Sequence, residues 1–96
     1  MERDDAADAR SKILRDPNVL AKRVGDETVL VHLETNRVFE LNRTASFLWD
    51  ALAAGPTRAE LEERLAQEFD VERGELAREI DDLLVQFRSE HLTRSE

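Results

Sequence analysis

At Leu41-Asn42 the hydrophobic period of this chain changes from two residues to about 3.6, and that switch narrows the folds open to it. Upstream lie three short extended runs. Val19–Val24 reads as a first strand, and Gly25-Asp26 as a two-residue turn whose glycine-first order suits type II′. Glu27–Leu33 reads as a second strand, with Val29, Val31 and Leu33 on one face and Thr28, Leu30 and His32 on the other. Glu34-Thr35-Asn36 is a tight connection in which Asn36 can take a positive φ. Arg37–Leu41 follows as a third strand, Phe39 and Leu41 pointing inward and Val38 and Glu40 outward.

Downstream the pattern is helical. Asn42 is placed to cap a helix that carries Ala45, Leu48, Trp49 and Leu52 and ends at Gly55-Pro56. Thr57-Arg58-Ala59-Glu60 has the form of a capping box, opening a second helix to about Phe69 with Leu61 and Leu65 buried. Asp70 is the expected cap of a third helix, from about Val71 to His91, with the stripe Leu76, Ile80, Leu83, Leu84 and Phe87. Strands first and helices after give an α+β fold, a three-stranded antiparallel sheet followed by three helices, similar in layout to a winged helix-turn-helix. Residues 1–18 are expected to be an N-terminal extension, partly disordered, and residues 19–92 the folded domain.

Composition removes several kinds of chemistry. The chain has no cysteine, so disulfides, thiolate ligands and a cysteine nucleophile are out. Its glycines, Gly25, Gly55 and Gly74, are too scattered for a phosphate loop. His32 and His91 lie in different elements without acidic neighbours at ligand spacing. Asp81-Asp82 and Glu62-Glu63 are adjacent on helices and diverge by about 100°, so neither forms an acid–base dyad. No nucleophile–base set stands out, and the expectation is a non-enzymatic protein without cofactor or metal. A formal net charge of −8 repels nucleic acid, and no apolar run suggests a signal peptide or a membrane span. The expected setting is the cytoplasm.

The stretch Asn36-Arg37-Val38-Phe39-Glu40-Leu41-Asn42-Arg43-Thr44-Ala45-Ser46-Phe47-Leu48-Trp49 resembles the signature of the PqqD family, a strand ending in Leu-Asn, one variable residue, a small or hydroxyl residue, Ala, and then a helix carrying Trp. The Gly-Pro-Thr turn, the short helix and the longer last helix fit the same family, over about Val19 to Leu92. His91-Leu92 stands where relatives often carry Gly-Leu. The resemblance implies a recognition element for ribosomally made, post-translationally modified peptides, in the branch serving lasso peptides or another. It implies that the leader of a precursor peptide adds as a strand to Arg37–Leu41, beside the last helix, and is passed to a modifying enzyme or leader peptidase.

The residues expected to bind are Arg37, Val38, Phe39, Glu40 and Leu41 on the strand, and Ala77, Ile80, Asp81, Leu84 and Arg88 on the helix. Val38, Ile80 and Leu84 form the expected groove floor, Ala77 leaves room for a bulky side chain, and Asp81 and Arg88 sit at the rim. On the residues alone, Arg37 and Glu40 read as charges that protect a sheet edge, a reading that the resemblance reverses, and Trp49 reads as core. The alternative is a winged-helix transcription factor, which the acidic balance of the last helix disfavours.

Overall fold

In the computed structural model, which describes residues 11–95, the period switch becomes a real seam. Upstream of it are β1 (Ile13–Arg15), β2 (Val19–Val24), β3 (Glu27–His32) and β4 (Arg37–Leu41). Downstream come α1 (Arg43–Ala51) with a single 3-10 turn (Leu52–Ala54), α2 (Arg58–Glu68), α3 (Arg73–Ser89) and β5 (Thr93–Ser95). The order β2-β3-β4 makes an antiparallel sheet with β3 in the middle. Gly25 has φ +64° while Asp26 does not enter that region, as a type II′ turn requires. Asn36 takes φ 61° at the second connection.

The helix starts follow their caps. Asn42 Oδ1 accepts from Ala45 N–H at 2.9 Å. Thr57 and Glu60 form the reciprocal capping box. The third start differs from expectation: the cap is Glu72, whose carboxylate accepts from Gly74 and Glu75 N–H at 3.0 Å each. Those two bonds hold the Glu72 carboxyl below its ordinary range.

One core fills the space between the inner face of the sheet and the helices. Leu30, Leu48, Leu52, Leu61, Leu65, Leu76 and Ile80 are fully enclosed, and Trp49 meets Phe87 edge-on at 5.9 Å. Ile13 belongs to this core as well. Its strand pairs antiparallel with β5, and Ile13 N–H donates to Pro56 C=O at 2.8 Å. Folded structure therefore begins before Val19, the boundary expected from sequence. No helix among the described residues is long and apolar enough to cross a membrane.

Candidate functional site

The free edge of β4 can be worked out from the ladder. Leu33 N–H donates to Asn18 C=O at 2.9 Å, and the Gly25-Asp26 turn closes on the Val24–Glu27 pair. Backbone groups alternate sides along an antiparallel strand, so Glu27, Val29 and Val31 bond toward β2. Thr28, Leu30 and His32 then bond toward β4, opposite Leu41, Phe39 and Arg37. That leaves the N–H and C=O groups of Val38 and Glu40 facing outward from the edge. Unpaired strand edges of this kind accept an extended chain through main-chain hydrogen bonds.

Side chains on β4 divide as expected. Leu41 is buried and Phe39 half-buried on the inner face, and Val38 and Glu40 are exposed on the outer one. Arg37 stacks its guanidinium over Phe39 at 5.5 Å and pairs with Glu90 Oε1 at 2.9 Å, tying the start of β4 to the end of α3. That contact identifies the flank of α3 nearest the strand. At about 100° per residue, Leu83 lies almost in line with Glu90, on the sheet side of the buried stripe. Leu83 is half-buried there and packs against the core. Phe39 on β4 and Leu83 on this flank are both half-buried apolar residues, and the Arg37–Glu90 pair links the two elements at one end.

Four expected wall residues lie on the other flank. Ala77, Leu84, Arg88 and Asp81 fall within about 60° of one another on the wheel, across the buried stripe from Leu83. Arg58 Nη2 donates to Ala77 C=O at 3.1 Å and Arg58 Nε to Asp81 at 2.9 Å. Arg88 donates to Ser95 Oγ at 3.3 Å. Asp81, Leu84 and Arg88, with Ile13, Arg58, Val85 and Thr93, border a cavity of about 850 Å³ against β1 and β5. Two parts of the expected floor also fall elsewhere. Val38 points to the outer face of the sheet at 62% exposure, and Ile80, fully enclosed, has no surface to offer. The strand and the end of the helix are thus brought together through the Arg37–Glu90 pair, and Leu83 lies on the same flank as Glu90. Nothing in the sequence links Arg37 to Glu90, and Leu83 is indistinguishable from Leu84 in a stripe that includes both.

Polar groups near this junction are tied into the fold. The His32 ring bridges the sheet to the end of α3: Nδ1 accepts from Glu34 N–H at 3.2 Å and Nε2–H donates to His91 C=O at 3.0 Å. Among the described residues no cluster of His, Asp or Glu is placed to hold a metal ion.

A family model described as coenzyme PQQ synthesis protein D (PqqD) matches residues 27–92. Among solved structures, TbiB1 in complex with the TbiA(beta) leader peptide aligns with a TM-score of 0.79 at 27% identity, covering 84% of this chain and 94% of that one. Lasso peptide synthetase B1 complexed with the leader peptide aligns at 0.75 and 22% identity, over 86% of this chain and 98% of that one, a likeness of fold. No curated protein matches the chain. The family match runs from β3 through the end of α3, well over half of the 96 residues, and by it the chain belongs to the PqqD family.

Proposed function

We propose that this chain binds the leader segment of a ribosomally synthesised precursor peptide by strand addition at β4 and delivers it to a separate modifying enzyme or peptidase. The single observation that carries the reading is the likeness, over nearly the full length of both chains, to TbiB1 in complex with a leader peptide. The free backbone groups of Val38 and Glu40 support it, because the partner that such an edge takes is an extended chain. Main-chain pairing is almost blind to sequence, so leader selection falls to Phe39, Leu83 and the Arg37–Glu90 pair. The chain itself catalyses nothing in this reading.

The test is a titration with the leader peptides of candidate precursors. Val38→Pro and Glu40→Pro each remove one outward donor and leave the β3–β4 ladder in place. Each should weaken leader binding about tenfold while the protein stays folded. Phe39→Pro, by contrast, removes a donor used within the sheet and should unfold β4. Unchanged affinity in both edge variants would move the docking strand elsewhere. Comparable affinity for duplex DNA, or a change in precursor mass on incubation with this chain alone, would sink the function.

A further inference from the structure

We infer that the outer face of the β2-β3-β4 sheet is a self-association surface, and that its occupant is a second copy of this chain packed face to face. The inference does not depend on the proposed function.

An antiparallel sheet with one solvent face ordinarily shows polar side chains there. Here four of the six large apolar residues exposed among the described residues, Leu20, Val24, Leu33 and Val38, lie on that face. Register puts Leu20, Val31 and Val38 in one apolar row across all three strands. Apolar surface gathered in this way marks an interaction site.

The adjacent row says what covers it. It reads Lys22, Val29, Glu40, a base on one edge strand, an apolar centre, and an acid on the other edge strand. Neither Lys22 nor Glu40 is in an ion pair among the described residues. A twofold axis parallel to the strands, lying between two such faces, places β2 of each copy over β4 of the other. Lys22 then stands over Glu40 twice, Leu20 over Val38 twice, and Val31 over Val31. The surface is self-complementary, as an isologous dimer requires. Sheets stacked about 10 Å apart put Lys22 within reach of Glu40, and their divergence of about 30° separates the two Glu27 side chains at the hairpin ends. Three short strands offer much less than the roughly 800 Å² per partner of a standard interface, so the dimer is weak and concentration-dependent. Packing on the face leaves the β4 edge open.

Sedimentation of the full chain across a wide concentration range tests this. A monomer–dimer equilibrium is expected, and Leu20→Lys should abolish it. Lys22→Glu and Glu40→Lys should each raise the dissociation constant about five- to tenfold, because each variant creates two like-charge contacts. The double variant Lys22→Glu/Glu40→Lys should restore wild-type association. All these side chains are exposed, and circular dichroism checks that each variant is folded. A chain that stays monomeric throughout overturns the proposal and leaves the face to a different protein. A dimer that survives Leu20→Lys, or that the double variant does not restore, overturns it too.

Discussion

His91 occupies the left-handed region at φ 61°, at the position just past α3 where glycine is the common choice. The chain reverses there with Leu92 N–H donating to Phe87 C=O at 2.8 Å, a bond any residue can make. A side chain at positive φ costs about 1–2 kcal/mol, partly offset by the entropy that glycine would lose. His91→Gly should therefore raise stability by about 0.5–1 kcal/mol, read as a higher urea midpoint. A midpoint that falls would show that the imidazole makes contacts worth more than the strain. Arg15 is the opposite case, a surface-type residue that the fold uses. Its Nε donates to Trp49 C=O at 3.0 Å and its guanidinium lies 4.7 Å from the Trp49 ring centroid. Burial lowers its pKa, against the pull of Asp50, yet arginine remains charged at any working pH. Arg15→Ala should cost about 1–2 kcal/mol, and Arg15→Lys should recover only part of it, because a point charge cannot reproduce the planar fork. Equal stability of the Lys variant and wild type would show that charge alone matters.

The elements that sequence made legible are those with strong local chemistry. The cap of α1 at Asn42, the capping box of α2 and the three strands of the sheet each have a pattern that one stretch of chain carries by itself. The flank of α3 that faces β4 has no such pattern. Leu83 and Leu84 both belong to a wide stripe, and only the sheet's position distinguishes them. This sets an element-scale expectation: Leu83→Ala should weaken leader binding about tenfold, and Ala77→Trp, on the flank against Arg58, should leave it unchanged. The reverse result in leader titrations would return the groove to the other flank. The joint between α2 and α3 responds to pH. Glu62 is held below its ordinary range chiefly by the hydrogen bond from Arg58, with burial opposing and Arg73 adding to the effect. A carboxylate with a depressed folded pKa stabilises the fold above its unfolded value, and that contribution disappears as the pH falls through the folded pKa. Acidification from the ordinary value of 4.5 downward should therefore loosen the joint. Glu62→Gln should flatten that part of the stability profile in urea unfolding, and an unchanged acid slope would assign it to other carboxylates.

At the scale of the whole molecule, the part that sequence concealed is the clasp that joins the two ends of the domain. β1 and β5 are three residues each, too short for alternation to show, and Pro17 next to β1 reads as a stop. Their pairing is visible only when chain positions about eighty residues apart are brought together, Ile13 opposite Ser95 and Arg15 opposite Thr93. What the clasp covers is substantial. Ile13 closes the core beside the cavity along α3, Lys12 bridges to Thr57, and Asp16 N–H donates to Leu92 C=O at 2.9 Å. Without β1, Trp49 loses the arginine over its ring and β5 loses the strand it pairs with. A chain that starts at Val19 keeps the whole three-stranded sheet, all three helices and the complete family-matched segment. If those elements were sufficient, truncation would be neutral. Core packing argues otherwise: loss of a buried isoleucine side chain alone costs about 2–5 kcal/mol, against a total stability of about 5–15 kcal/mol for a small domain. Deleting residues 1–18 should therefore lower the unfolding free energy by at least about 3 kcal/mol, with Ile13→Ala in the full chain giving most of that loss. Leader affinity per folded molecule should be retained, since β4 and the Leu83 flank of α3 are not part of the clasp. Urea unfolding of the truncated chain and of Ile13→Ala checks the first statement, and a truncated chain as stable as the full one would make the clasp an ornament on a domain complete without it.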